Sequence, residues 1–232
     1  MTSEKARYLE VYRRLHAHFG HRDWWPGDGP FEIMVGAVLT QNTAWKNVTR
    51  AIANLEAADA LTPEALLAAP FDTVAQWLKP SGYFNVKAKR LRAYCAWYLE
   101  QGGFEALRRR RTPVLREGLL SVHGVGPETA DDILLYAFKR PVFVIDTYTR
   151  RAFARIGLVT GEESYEALRL GFERALGPDV ALFNDYHAQI VGLGHFFCRP
   201  KPKCLECPLA VCCDFANTTT ERPASMRPQR FS

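Results

Sequence analysis

The sequence predicts an all-α fold, and three observations carry that prediction. Apolar residues recur at the i, i+3, i+4 spacing of a helix face through most of the chain. Helix-start signals stand where such faces begin, as at Thr62, Pro63 and Glu64, which supply a cap, a first-turn proline and an acidic first turn. The only stretch rich in β-branched residues, Pro141 to Ile145, is too short and isolated to build a sheet.

Taken in order, Tyr8, Leu9, Tyr12 and Leu15 form one face of a helix over 3–19. Phe31, Met34, Val35, Val38 and Leu39 repeat the pattern, and Val48, Ile52 and Leu55 begin another stripe. After the Thr62 cap, helices fit 71–79, 87–100, 112–120, 128–138, 146–156, 163–175 and 179–194. Residues 21–30 (HRDWWPGDGP) and the Lys139-Arg140-Pro141 junction break helices. From about 214 the chain turns polar, with Thr218 to Thr220, Pro223 and Pro228, and a disordered tail over 214–232 is expected. No internal repeat is visible.

With 232 residues, 47% of them hydrophobic, the chain can pack one large or two small domains. Charged residues at 24% and the absence of a long low-complexity segment read as an ordinary globular protein. The formal charge of +5 is compatible with nucleic acid without requiring it. No basic-then-apolar leader and no membrane-length apolar stretch appear, so the expected location is cytoplasmic.

Of six cysteines, Cys95 stands among Leu91, Tyr94 and Tyr98 at helical spacing and reads as a buried small hydrophobe. The other five, Cys198, Cys204, Cys207, Cys212 and Cys213, fall within sixteen residues. A disulfide framework spreads its bridges, whereas crowding of this kind points to metal. Cys198-x5-Cys204-x2-Cys207-x5-Cys213 offers four thiolates in one loop, a set that suits tetrahedral zinc or a [4Fe–4S] cluster. A zinc ribbon usually shows two CxxC knuckles, and this loop has one. Cys212 is the alternative to Cys213 as fourth ligand.

The segment Leu119-Leu120-Ser121-Val122-His123-Gly124-Val125-Gly126-Pro127-Glu128-Thr129-Ala130 runs one apolar helix into a glycine turn and a second helix started by proline. Glycine permits positive φ and a close backbone approach. The open amides of the second helix make a phosphate site that reads no base. Alone, the segment also fits a plain αα turn. Eighteen residues after Glu128, Asp146 stands directly before a helix in Val144-Ile145-Asp146-Thr147-Tyr148-Thr149-Arg150-Arg151. That is the usual place of an N-cap, and an active-site carboxylate could occupy it while staying ionised at the open end of the dipole.

Together these segments, His123-Gly124-Val125-Gly126-Pro127-Glu128-Thr129-Ala130 and then Val144-Ile145-Asp146-Thr147, resemble the helix-hairpin-helix DNA glycosylases related to endonuclease III. Thr40-Gln41-Asn42-Thr43 looks like a third family segment, and Gly82-Tyr83-Phe84-Asn85-Val86-Lys87-Ala88-Lys89 looks like a fourth; with the cysteines the match covers roughly residues 30–213. The resemblance implies two helical lobes flanking a DNA cleft: a central barrel over 28–139 with the hairpin, and 1–27 plus 140–213 as the cluster domain. It implies a monomer acting on double-stranded DNA with a damaged base, nucleoid-associated, and favours [4Fe–4S] over zinc on Cys198, Cys204, Cys207 and Cys213. The first cysteine gap is one residue shorter than the family's.

The resemblance also assigns roles. His123, Gly124, Val125, Gly126, Glu128 and Thr129 would hold DNA backbone, Gln41 would fill the gap left by a flipped base, and Tyr83 would wedge from the second loop. Cleaving a base from deoxyribose builds positive charge on the sugar, and Asp146 is the candidate to stabilise it and activate water. Bifunctional members carry a lysine where this chain has Glu128, and glutamate forms no Schiff base. A monofunctional N-glycosylase without efficient AP lyase activity is therefore expected.

Trp24, Trp25, Phe31 and Trp45 lie in segments expected to line the base pocket, where stacked aromatics hold cationic alkylated purines. Trp24-Trp25-Pro26 and Gln41-Asn42-Thr43-x-Trp45 look like the 3-methyladenine branch; core packing is the competing reading. Arg108 to Arg111, the set Lys87, Lys89 and Arg90, and Arg199, Lys201 and Lys203 could track phosphate or be ordinary surface charge, and Arg150 with Arg151 could add to the same face or pair with local acids. Three rival functions stay open: a bifunctional glycosylase and AP lyase for oxidised pyrimidines, a non-catalytic binder of damaged DNA, and a redox sensor.

Overall fold

The computed structural model describes residues 3–22 and 24–219, and every regular element among them is helical. The chain divides into two compact units, one formed by Trp25–Arg140 and the other by Met1–Trp24 with Pro141–Ser232. Helix α1 (Ser3–Phe19) opens the second of these.

The Trp25–Arg140 unit contains α2 (Pro30–Leu39), α3 (Trp45–Ala57), α4 (Pro63–Ala68), α5 (Phe71–Trp77), α6 (Phe84–Glu100), α7 (Gly103–Leu107), α8 (Thr112–Ser121) and α9 (Pro127–Asp132). Ile33 to Leu39 are all buried, so α2 is the central helix, with α3, α6 and α9 packed on it. A helix apolar all round has no stable place except inside others. The chain continues from α9 as a π-helical stretch, Ile133–Ala137, closed by Phe138 N–H donating to the Ile133 carbonyl at 3.1 Å. All five of its residues are buried.

The expected helix at 71–79 ends at Trp77 and gives way to a 3-10 turn, Lys79–Ser81, since Pro80 has no N–H to continue the ladder. Helix α7 has five residues, too few for a periodic pattern to register.

The second unit adds α10 (Thr147–Ile156), α11 (Tyr165–Leu176), α12 (Val180–Phe196) and α13 (Asp214–Thr219). The last of these corrects the expectation of a tail beginning at 214: Ala216 is buried, and the Arg155 guanidinium lies 4.9 Å from the Phe215 ring centre. Positions 220–232 of that expected tail lie outside the described residues. Pro141 to Ile145 run extended without a partner strand among the described residues, and Val142 to Ile145 are buried. Their amides still find acceptors on α11, as Phe143 N–H donates to Glu173 Oε1 at 3.1 Å and Ile145 N–H to the Tyr165 hydroxyl at 3.4 Å. Phe143 stacks on Phe172 at 4.2 Å. The isolated apolar run thus delivers Asp146 to the start of α10 on a rigid lead.

Candidate functional site

The hairpin between α8 and α9 is built around two differently used glycines. Gly124 has φ +88°, and the space a side chain would need there is filled by the stem of Arg90, so any other residue is both strained and obstructed. Gly126 is extended, with φ −90° and ψ 177°, and a Cβ added there would meet nothing within 4 Å. Pro127 then starts α9. Val125 and Thr129 are buried and anchor the turn, while His123 and Glu128 are exposed.

Gln41 is fastened to this turn. Its Nε2 donates to the Gly124 carbonyl at 3.1 Å and to Thr129 Oγ1 at 3.0 Å, and its Oε1 accepts from Arg90. Asn42 beside it has φ +55°, and Tyr83 has φ +46° with 73% of its surface exposed. Left-handed backbone at non-glycine residues costs on the order of 1–3 kcal/mol each and gathers at functional loops.

Lys87 holds the two loops together from beneath. It is buried, and its ammonium donates to the Leu39 carbonyl at 2.8 Å and the Ser81 carbonyl at 2.6 Å. Burial, with the nearby Arg90 charge, pulls its pKa down to about 8. This burial takes Lys87 out of the phosphate track that the sequence left open to it.

A bidentate pair joins the two helices of the hairpin: Arg116 Nε and Nη2 donate to Asp131 Oδ1 and Oδ2 at 2.7 and 3.0 Å. The Asp131 side chain is 0% exposed and the arginine 14%. Replacing Asp131 by alanine leaves the arginine charge largely buried, and a loss of about 3–5 kcal/mol in denaturant unfolding is expected. A loss below about 1 kcal/mol, the range of exposed pairs, would show that the brace is not structural.

Of the aromatic candidates in this unit, Trp25 meets Trp45 edge-on at 4.8 Å and its ring centre also lies 4.8 Å from that of Tyr136. Gly36 permits that approach, since a Cβ there would sit 3.2 Å from both Trp25 and Trp45. Phe31 packs on Tyr98 at 5.6 Å. Trp24 is half-buried and belongs to the other unit. Tyr136 went unnoticed in the sequence because it falls inside the expected helix over 128–138, far in sequence from the tryptophans.

Asp146 caps α10, with Oδ1 accepting the Thr149 N–H at 2.6 Å. Its Oδ2 lies 3.6 Å from Nε2 of His187 on α12, and its side chain is 12% exposed. Burial acts to raise this carboxyl, but the His187 imidazole and the Thr149 amide and hydroxyl outweigh it and hold the group below the usual carboxylate range. His187 is buried within α12 and carried no signal in the sequence, where a histidine 41 positions away in an apolar helix reads as core.

Arginines of α10 tie the cysteine loop to the same helix. Arg151 Nε donates to the Cys198 carbonyl at 2.8 Å. The Arg155 guanidinium reaches the Arg199 carbonyl at 2.6 Å, the Pro200 carbonyl at 3.2 Å and Cys198 Sγ at 3.5 Å. Arg150 instead binds the carbonyls of Gly161 and Glu163 at 2.9 and 2.6 Å. Arg150 and Arg151 are thus occupied by backbone carbonyls, while Lys201, Lys203 and Arg199 are exposed. In the other unit, Arg108 pairs with Glu105 and its carbonyl accepts from Arg140.

The thiols sort into two sets. Burial pushes Cys207 up to about 12, opposed by the Leu209 N–H and reinforced by Cys213, Cys198 and Cys204. Burial likewise pushes Cys213 up to about 11, with the Ala216 and Phe215 amides opposing and Cys198 and Cys204 adding. Cys212 is also raised by burial, but its charged neighbours are Arg14, Glu10 and Arg7. Cys207 and Cys213 thus feel Cys198 and Cys204, whereas the charges that Cys212 feels belong to α1. Backbone amides on two of the sulfurs and a guanidinium near a third oppose the effect of burial, as partners of metal-held sulfur do, so the donor set fits a group held by four sulfurs.

The family model of the HhH-GPD superfamily base excision DNA repair proteins matches residues 35–178. The chain belongs to this family. The HhH-GPD match takes in the hairpin, Gln41, Tyr83 and Asp146. A protein of Methanocaldococcus jannaschii provisionally named a DNA repair glycosylase is 42% identical over 207 residues, 88% of this chain and 94% of that protein. Endonuclease III of Thermotoga maritima is 32% identical over 219 residues, 93% of each chain. Among solved structures, the 3-methyladenine DNA glycosylase MagIII of H. pylori, bound to 1,N6-ethenoadenine, aligns with a TM-score of 0.70 at 28% identity over 82% of this chain and 96% of that one. The HhH-GPD fold is all-α, as observed here, and places the chain among base excision repair DNA glycosylases.

Proposed function

We propose that the protein is a monofunctional DNA N-glycosylase that releases alkylated purines. The observation that carries the proposal is the Asp146 carboxylate, kept ionised in a largely buried place beside His187, with one oxygen fixed by the α10 cap. Its other oxygen stabilises the cationic sugar as the base departs and takes a proton from the attacking water. The hairpin amides around Gly124 and Gly126 hold phosphate, with His123, Val125, Glu128 and Thr129 shaping the turn. Gln41 leaves the hairpin to fill the gap of the extruded base, and exposed Tyr83 wedges the stack. Glu128, exposed at the hairpin position where bifunctional relatives hold lysine, supplies no amine.

The Trp25, Trp45 and Tyr136 cluster over Gly36 supports a cationic purine as substrate, because electron-rich ring faces attract such a base. The likeness to MagIII points the same way. Phe31, packed on Tyr98, completes the candidate pocket set of this unit. Cys198, Cys204, Cys207 and Cys213 would hold a [4Fe–4S] cluster, which gives the loop a fixed shape and leaves the excision chemistry to the protein. That shape presents Arg199, Lys201 and Lys203 to DNA phosphates.

The test presents duplexes containing 3-methyladenine, 7-methylguanine, thymine glycol, uracil or mismatched thymine, with released base measured before alkali. Release of methylated purine, with strands intact until alkali and no borohydride-trapped complex, is expected. A trapped complex would establish the lyase reading. Tight binding to an abasic-site analogue without release from any duplex would establish the non-catalytic one.

A further inference from the structure

We infer that His16, His21 and Asp185 form a binding site for a divalent transition-metal ion of the zinc class, using none of the cysteines. The three side chains bring one ligand atom each within 4.8 Å of the others. Asp185 Oδ1 faces His21 Nδ1 at 3.3 Å, and Oδ2 faces His16 Nε2 at 3.9 Å, so each carboxylate oxygen is turned toward one imidazole. The second separation is longer than a hydrogen bond and leaves room for an atom to come between.

Local sequence explains the convergence. His16 lies in the last turn of α1, and Gly20, with φ +71°, ends that helix with its N–H on the His16 carbonyl at 2.8 Å. The chain reverses there, which brings His21 back beside His16, their ring centres 6.5 Å apart. Asp185 comes from α12. Its side chain is 3% exposed, whereas those of His16 and His21 are 42% and 66% exposed, so a buried negative charge lies behind two accessible imidazoles.

The carboxylate is also held in place. Tyr12 OH donates to Oδ2 at 2.9 Å, the Arg22 N–H to Oδ1 at 3.0 Å, and Gln189 Nε2 to Oδ1 at 3.2 Å. Gln189 in turn donates to the Gly20 carbonyl at 2.7 Å, tying the reversal to α12. Partners of this kind orient a metal ligand and fix its geometry. Zinc at about 2.0–2.2 Å from each donor needs donor atoms about 3.3 Å apart, which small imidazole rotations supply. Two nitrogens and one oxygen suit zinc or its neighbours and disfavour calcium and magnesium, which take oxygen. A bound ion would clamp the end of α1 to α12, with water in the remaining position.

The test is zinc titration of the protein with its cysteine loop loaded, followed by calorimetry, beside His16→Ala and His21→Ala. One zinc per chain is expected, bound at least tenfold more weakly by each variant, with zinc raising Tm only in the parent protein. His21 is exposed and His16 half-buried, and Tyr12, the Arg22 amide and Gln189 still hold Asp185 in both variants, so their Tm without zinc should stay close to the parent's. Cobalt should give visible bands without thiolate-to-metal charge transfer, which separates this site from cysteine binding. Equal zinc affinity in the variants, no saturable binding, or a thiolate band that persists in both variants would overturn the proposal. Because no readout involves base release, it stands or falls apart from the glycosylase reading.

Discussion

Asp146→Asn should slow base release by about a thousandfold while leaving the protein folded. Asparagine caps a helix as well as aspartate does, so the bond to the Thr149 amide survives and the stability change should stay within about 1 kcal/mol. What disappears is the negative charge on the oxygen that faces His187 at 3.6 Å. The measurement is a single-turnover rate on an alkylated duplex, paired with the Tm of both proteins. A loss under about tenfold would remove the carboxylate from the chemistry, since charge stabilisation in such sites is worth more than that.

The same carboxyl makes a prediction about pH. It is held below its ordinary value of 3.8, so it carries charge through neutral and mildly acidic conditions. Its folded pKa being depressed, the stability it contributes is present above the unfolded value and lost as pH falls through the folded one. Any acid limb of the rate profile that belongs to Asp146 should accordingly lie below pH 3.8.

Cys213→Ser and Cys212→Ser, adjacent and chemically identical changes, should have opposite outcomes. Cys213 feels Cys198 and Cys204 and receives the Ala216 and Phe215 amides, whereas the charges that Cys212 feels are those of Arg14, Glu10 and Arg7. Serine at 213 should remove the fourth thiolate and lower the iron bound per chain. The several kcal/mol that a metal-held loop contributes then correspond to a fall in Tm of roughly 10 °C. Serine at 212 should leave iron and Tm near those of the parent. Iron retained by the 213 variant and lost from the 212 variant would reverse the ligand assignment; zinc in place of iron would replace the cluster with the other group that four thiolates accept.

Much of this was legible from residue order because its causes are local. Helical periodicity, the Thr62 and Asp146 caps and the glycines of the hairpin act over a few residues, and the fold class and the hairpin follow from them. The CxxC spacing announced a sulfur-rich site in the same way. Helix α7 escaped notice because five residues are too few to show a period. The charged residues were left open for a different reason. Lys87, Arg150 and Arg151 have the composition of a phosphate track, yet their charges end on backbone carbonyls. A long cationic side chain is placed by whichever acceptor the tertiary fold brings near, which spacing along the chain does not encode.

The sequence by itself thus determined that this is a helical protein with a glycine hairpin, a capping aspartate and a cysteine-rich loop. Only the tertiary structure decided which groups complete those sites. His187 lies 41 positions from Asp146, Tyr136 lies 111 from Trp25, and Asp185 lies 164 from His21. Each pair meets because separate helices pack, and the packing is driven by apolar faces that carry no record of the polar residues riding on them.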